Sequence, residues 1–125
     1  MKNKIIVKQI DHINMIVTDL AESVQFYKDL FGFEIRKDQS EFNSVIVGND
    51  SVKLCLYQDE NLEKGNGLIH FGFYVNNYED IIEKCKEYNV KMPYGETDWG
   101  ISRSIYIIDP NGYEIELSDK NGGGL

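Results

Sequence analysis

The chain has 125 residues, of which 42% are hydrophobic and 27% charged, and this balance is typical of one soluble globular domain. Its formal net charge of -8 argues against non-specific binding to nucleic acid or anionic membrane, so we expect neither as a partner, because both need a basic surface. The apolar run after the basic start stops at Lys8, too short for a signal peptide or a membrane span. The two cysteines do not form the spacing pattern of a disulfide-bonded scaffold, so we expect a cytoplasmic protein with reduced thiols.

The first half of the chain predicts one strand, one helix and three further strands. Alternating polar and apolar residues place the first strand at about 11–17. Asp19 followed by Glu22 is typical of a helix start, and Gly32 suits the helix end, which predicts a helix from Leu20 to Phe31. The three strands that follow are predicted near 33–37, 42–47 and 52–57, with a turn at 48–51 between the last two.

The second half repeats this order. A strand is predicted at 69–75, a helix at 78–88, and short strands near 91–94, 102–108 and 113–118. Residues 109–112, Asp-Pro-Asn-Gly, form the last turn. We therefore predict a single α+β domain over residues 1–125, with β-α-β-β-β modules at about 9–58 and 68–118 and a linker at 59–67.

The only two histidines of the chain occupy the same place in the two halves. His12 and His70 each begin a short apolar run that leads through a polar turn into a predicted helix. When the last strands of the halves are aligned, Cys55 and Glu116 become equivalent. These four residues mark the corners of a predicted site, and His12, His70 and Glu116 are good metal ligands.

Three motifs carry a resemblance to a known family. They are Asp-His-Ile at 11–13, Ser-Val-Gln-Phe-Tyr-Lys-Asp-Leu-Phe-Gly-Phe at 23–33, and Asp-Pro-Asn-Gly-Tyr-Glu-Ile-Glu-Leu at 109–117. In this order and spacing, the sequence resembles the vicinal oxygen chelate superfamily, which includes glyoxalase I, bleomycin-binding proteins, fosfomycin-modifying enzymes and extradiol dioxygenases. The resemblance implies two β-α-β-β-β modules that form a curved mixed sheet around a metal-binding cleft. It also places the metal ligands at His12, His70 and Glu116.

The resemblance implies a metal-dependent enzyme that chelates a small oxygenated substrate through two adjacent oxygens. The chemistry would be that of a lyase, an isomerase or a dioxygenase, and the assembly a homodimer. Two imidazoles and one carboxylate suit zinc, manganese, iron, nickel or cobalt. The alternative is a metal-free small-molecule binding or resistance protein of the bleomycin-binding type, which the acidic charge favours. One fold hosts many reactions, so the resemblance alone does not choose between them.

Two residues near the predicted ligands bear on the reaction. Cys55 stands where the family pattern of glyoxalase I has a second glutamate, which argues against that reaction. Its thiol is either a soft fourth ligand or a buried side chain between Leu54 and Leu56. Tyr106 is either an acid that orients the bound ligand, and so a catalytic residue, or a core aromatic. The family pattern has a tyrosine at this spacing that reaches the ligand.

Two particular substrates fit poorly, and one loop adds an aromatic surface. A phosphonate is disfavoured because Glu96 and Asp98 precede Tyr106, and Arg103 is predicted on the opposite strand face. Ring-cleaving dioxygenases usually have four modules rather than two. The loop at 94–100 contains Trp99, which we expect either at a mobile substrate-facing rim or at a dimer contact.

Overall fold

The computed structural model describes residues 9–10, 12–61 and 70–124. The strands and α-helices within these ranges are β1 Ile13–Val17, α1 Leu20–Phe31, β2 Glu34–Gln39, β3 Ser44–Gly48, β4 Lys53–Gln58, β5 Phe71–Tyr74, α2 Tyr78–Glu87, β6 Glu96–Asp98, β7 Arg103–Ile108 and β8 Glu114–Ser118. Asp11 and most of the predicted linker lie outside the described residues. Neither helix is long and apolar enough to cross a membrane in the part of the chain that is described.

The strands form two four-stranded mixed sheets with the same internal order. The first sheet runs β1-β4-β3-β2 and the second β5-β8-β7-β6. In each sheet the first strand pairs in parallel with the last strand of its module, and the other pairs are antiparallel. The predicted α+β fold, with the β-α-β-β-β order repeated, is therefore confirmed. The exact module boundaries stay a prediction.

Alternation along β4 and β8 separates the core from the opposite face of each sheet. The central apolar positions of these strands are fully buried, as are inward residues of both helices; they include Leu54, Leu56, Ile115, Leu117, Tyr27 and Cys85. Burying a large apolar side chain contributes about 1.5–3 kcal/mol, so the pattern fixes which way each strand faces. Cys55 and Glu116 therefore face away from the core, as the alternation of β8 predicts for Glu116.

The first helix ends where its sequence predicts. The Asp19 carboxylate accepts a hydrogen bond from the Glu22 backbone N–H at 3.0 Å, which satisfies one of the unpaired donors at the helix start. Gly32 adopts a left-handed conformation with φ of 70° and donates to the carbonyl of Lys28. These caps confirm the predicted helix and set the direction from which the chain enters β2.

The turn between β7 and β8 joins the two modules. Tyr27 of α1 donates a hydrogen bond through its hydroxyl to the Asp109 carboxylate at 2.9 Å. The Asn111 side-chain amide donates to Ser23 at 3.0 Å, and its carbonyl accepts the Thr18 backbone N–H at 2.7 Å. Burial raises the pKa of Asp109 above its ordinary value, although its hydrogen-bond donors oppose the shift. The Asp-Pro-Asn-Gly motif thus holds the second module to the first helix.

The prediction of a strand at 91–94 is wrong. Lys91 makes only an isolated bridge to Ile108, residues 93 and 94 form a turn, and β6 lies further along the chain at Glu96–Asp98. Pro93 has no backbone N–H to donate to a neighbouring strand, which explains why pairing is interrupted between the Lys91 bridge and β6. The segment predicted as a loop therefore contains the edge strand of the second sheet.

Candidate metal centre

His70 and Glu116 meet on the face of the second sheet that is turned away from the helices. Glu116 lies in the middle of β8, and His70 immediately precedes the neighbouring strand β5. The His70 Nε2 atom lies 3.2 Å from the Glu116 Oε1 atom. The imidazole and carboxylate side chains are 36% and 24% exposed, so both donors are accessible from solvent while their strands hold them in place.

The spacing and chemistry of this pair suit a divalent metal. Two ligands that bind one ion at about 2.0–2.2 Å and near a right angle are about 3 Å apart, close to the observed separation. Gly72 of β5 lies directly opposite Glu116. A Cβ atom at Gly72 would come within 3.3 Å of the Glu116 carbonyl oxygen and 3.6 Å of its Cβ. The missing side chain keeps the space beside the carboxylate open.

Tyr106 borders the same pair from the other neighbouring strand. It lies opposite Glu116 in the pairing of β7 with β8, and its ring packs edge-on against the His70 ring at 5.3 Å between centroids. Burial raises the pKa of the Tyr106 phenol, and the negative charge of Glu116 raises it further. Tyr106 therefore keeps its proton at neutral pH and can donate a hydrogen bond to an oxygen bound beside Glu116.

The structure does not bring His12 or Cys55 to this pair within one chain. Both belong to the first module, where His12 precedes β1 and Cys55 lies in β4 with its sulfur 3.7 Å from the Ser44 hydroxyl. Across the described residues, no three His, Cys, Asp or Glu side chains gather closely enough to hold a metal ion. The single chain thus contributes two of the three predicted ligands to one place.

Two further residues border the His70–Glu116 pair, and only the first was not predicted from the sequence. Gly72 opens the space beside Glu116, and a glycine inside a short aromatic strand is the signal that could have indicated it. Tyr94 packs edge-on against Tyr106 at 5.7 Å and extends the aromatic surface away from His70. The sequence predicts Tyr94 at the junction of the strand at 91–94 and the loop at 94–100, which is expected at the rim of the cleft.

Comparison with known proteins places the chain in one family. The sequence model of the Glyoxalase/Bleomycin resistance protein/Dioxygenase superfamily matches residues 9–117. Because this match spans most of the chain, the protein belongs to this superfamily.

Individual relatives are distant. The metallothiol transferase FosB of Staphylococcus haemolyticus is 28% identical over 117 residues, covering 89% of this chain and 83% of that protein. A manganese-dependent 2,3-dihydroxybiphenyl 1,2-dioxygenase of Geobacillus genomosp. 3 is 30% identical over 122 residues, which cover 88% of this chain but 39% of the dioxygenase. The crystal structure of the fosfomycin resistance protein FosX of Listeria monocytogenes matches with a TM-score of 0.78 and 22% identity, covering 96% of this chain and all of that one. The last similarity shows the fold alone.

Proposed function

We propose that this protein is a metal-dependent enzyme that binds a small substrate through two adjacent oxygens. The observation that carries the proposal is the His70–Glu116 pair, whose 3.2 Å separation suits two ligands of one divalent ion. Two relatives have names that state a metal-dependent activity, a metallothiol transferase and a manganese-dependent dioxygenase. The donor set suits zinc, manganese, iron, nickel or cobalt.

His12 is the third ligand, and it reaches the pair from a second copy of the chain. It lies at the start of β1, an edge strand of the first sheet, whereas His70 precedes β5, an edge strand of the second sheet. A two-fold dimer exchanges equivalent surfaces, so one arrangement that brings His12 to the partner's pair creates two identical sites. The homodimer and the metal site are thus one proposal.

The residues of the site have separate tasks. A bound divalent ion supplies Lewis acidity to a chelated carbonyl or hydroxyl oxygen. His70 and Glu116 fix where the substrate oxygens lie, and the space opposite Gly72 admits them. Tyr106 holds a proton on its phenol oxygen and donates a hydrogen bond to the substrate oxygen nearest to it.

Metal titration tests the ligand assignment. Manganese, cobalt, nickel and zinc are added to the metal-free protein, and binding is followed by calorimetry and by the absorption spectrum of the cobalt form. We expect His12→Ala, His70→Ala and Glu116→Gln each to weaken binding by at least a hundredfold. Glu83→Gln, on the exposed surface of α2, is the matched carboxylate control and should bind as the wild type does. Wild-type protein that binds none of these metals, yet binds a small organic ligand, would replace this proposal with the metal-free alternative.

A mixing experiment tests whether the site is shared between copies. The variants His12→Ala and His70→Ala are unfolded together and refolded as a mixture. In the mixed dimer, one site loses both histidines and the other retains every ligand, so the mixture should regain about a quarter of the wild-type metal sites if pairing is random. Ligands drawn from a single chain would leave the mixture with none. Each variant refolded alone provides the baseline.

A further inference from the structure

The two modules meet at two junctions that are filled differently. In the first, α1 faces the turn between β7 and β8, where Asn111 is 7% exposed and bonds Ser23 of the helix. In the second, α2 faces the turn between β3 and β4, whose residue equivalent to Asn111 is Asp50. The Asp50 side chain is 96% exposed and pairs with Arg36 at 3.1 Å. Asp50 therefore does not enter the second junction as Asn111 enters the first.

The helix side of the second junction differs in the same way. Counted from the first residue of each helix, Ile81 and Cys85 of α2 take the places of Ser23 and Tyr27 of α1. Ser23 and Tyr27 bond the Asp-Pro-Asn-Gly turn, whereas Ile81 is apolar and Cys85 is a small buried thiol. The hydrogen bonds that close the first junction thus have no equivalent from these two positions in the second.

An apolar cleft of about 660 Å³ occupies the second junction. This volume lies within the roughly 300–1,000 Å³ that is typical of small-molecule sites. Gly72 borders both the cleft and the metal centre, but neither His70 nor Glu116 is among the described residues that line the cleft. The apolar walls come from both modules and include Phe31, Phe33, Val52, Phe73 and Ile81.

One cation lies at the rim of this cleft. Lys84 of α2 is the only charged side chain among the described residues that line it, and its ammonium forms no ion pair with a described carboxylate. Carboxylates on the adjoining elements are engaged elsewhere: Glu83 pairs with Lys86 at 3.8 Å, Asp80 borders a different cleft, and Asp50 points outward. The local charge is therefore positive, although the chain as a whole carries a net charge of -8.

Amide groups lie at the same rim. Asn49, Asn76 and Asn77 line the cleft, and the Asn77 side chain does not cap α2. Each carboxamide carries two N–H donors. Lys53 donates to the backbone carbonyl of Asn49 and adds a second positive charge next to it. A carboxylate at this rim would meet a cation and amide donors, while an attached apolar group would be buried between the walls.

We propose that this cleft is a second ligand site, which binds a small molecule with an apolar body and one carboxylate. The apolar body fills the space between the modules, and the carboxylate pairs with Lys84 and accepts hydrogen bonds from the asparagine amides. The site does not involve the metal ligands, so its occupant is separate from the chelated substrate.

Short amphipathic probes test the site on the metal-free full chain. Octanoate, hexanoate, acetate and octyltrimethylammonium are titrated by calorimetry, and backbone amide signals are followed in nitrogen-15-labelled protein. We expect one octanoate per chain, with saturable shifts centred on residues that line the cleft, such as Gly32 and Phe73. Each methylene group from hexanoate to octanoate should tighten binding about two- to fourfold. Acetate should not saturate, because it has no apolar body to bury.

Charge variants identify the partner of the carboxylate. Lys84→Glu should weaken octanoate at least about tenfold and should make octyltrimethylammonium the tighter probe. Lys86→Glu, two residues further along the exposed surface of α2, is the matched control and should change octanoate binding less than about twofold. Thermal melts of both variants verify that they fold, and metal titration of Lys84→Glu should match the wild type.

Three results would overturn the proposal. The wild type could bind octyltrimethylammonium as tightly as octanoate, or Lys84→Glu could bind octanoate as the wild type does. Octanoate could also fail to bind at all, as expected if a second copy or another segment of the chain fills the cleft. Loss of metal binding in the wild type would refute the proposed function without affecting these titrations.

Discussion

Tyr27→Phe should break the junction between the two modules without removing any apolar contact. The Tyr27 ring is fully buried and stacks on Phe33 at 6.2 Å, and phenylalanine keeps that ring. What is lost is the hydroxyl that donates to Asp109. The remaining partners of the Asp109 carboxylate are the backbone N–H groups of Asn111 and Tyr113 on Oδ1 and a longer 3.4 Å contact to the Asn111 amide on Oδ2. One buried carboxylate oxygen is thus left with a single weak donor.

The expected loss follows from that change. A hydrogen bond to a charged acceptor contributes about 1.5–3 kcal/mol to the free energy of unfolding. For a chain of this length, 1 kcal/mol changes the midpoint of thermal unfolding by roughly 4 °C. Tyr27→Phe should therefore lower the midpoint by about 6–12 °C near neutral pH.

The pH dependence gives a second test of the same bond. Burial raises the pKa of Asp109 in the folded protein above its value in the unfolded chain, and the Tyr27 hydroxyl opposes part of that rise. Burying the charged Asp109 carboxylate destabilises the folded protein; this effect is fully present above the folded pKa and absent below the unfolded pKa. The difference in stability between wild type and Tyr27→Phe should accordingly narrow as the pH falls through the folded pKa of Asp109.

Urea unfolding followed by circular dichroism measures both effects. Tyr88→Phe, an exposed tyrosine at the end of α2, should change stability by less than about 0.5 kcal/mol. In an Asp109→Asn background, Tyr27→Phe should cost less than it does alone, because the two side chains interact directly. A loss below about 0.5 kcal/mol at neutral pH, or one that does not depend on pH, would refute the assignment of this bond as the junction between the modules.

Three further predictions concern other parts of the chain. Burial raises the pKa of the Cys85 thiol to about 11, so a thiol-specific disulfide reagent at pH 8 should modify Cys55 and leave Cys85 unreacted until the protein unfolds; equal rates would contradict this. Gly48→Ala should lower the free energy of unfolding by about 3 kcal/mol or more in thermal melts, because its Cβ would lie 1.9 Å from a carbonyl oxygen of the same turn. Hydrogen bonds from the Arg103 backbone and guanidinium lower the pKa of Asp119. The ionised carboxylate therefore stabilises the fold at pH values above its unfolded pKa, and this stabilisation is lost as the pH falls through its folded pKa. In Arg103→Gln, NMR titration of the carboxyl groups should give Asp119 a higher pKa than in the wild type, but one still below the ordinary value because the backbone hydrogen bond remains. A pKa equal to that of the wild type would exclude a contribution from the guanidinium.

The features that the sequence predicted correctly depend on neighbouring residues. Asp19 and Gly32 define a helix because caps act within one turn of the chain. Glu116 faces outward because Ile115 and Leu117, its immediate neighbours, must be buried. These patterns were sufficient to predict the repeated order of elements and the side of the sheet that Glu116 faces.

The features that the sequence missed depend on residues far apart in the chain. Nothing in the Asp-Pro-Asn-Gly motif itself indicates that Asp109 accepts a hydrogen bond from Tyr27 of the other module. Periodicity gave His12 and His70 equivalent places, but it carries no information on whether two sheets of one chain bring them together. The shifted β6 is different in kind, since Pro93 was a local signal that a strand could not begin there.

The repeated fold separates the positions that build the core from those that present polar groups on the opposite face of each sheet. Cys55 and Glu116 occupy the same place in β4 and β8, and each is flanked by leucine or isoleucine side chains that are fully buried. A substitution at Cys55 would therefore alter the polar face of the first sheet while leaving its apolar packing intact. Duplicated modules of this kind can acquire a new donor in one copy while the other copy keeps its own. A protein built this way can change the polar groups on the outer faces of its sheets by single substitutions that barely alter its stability.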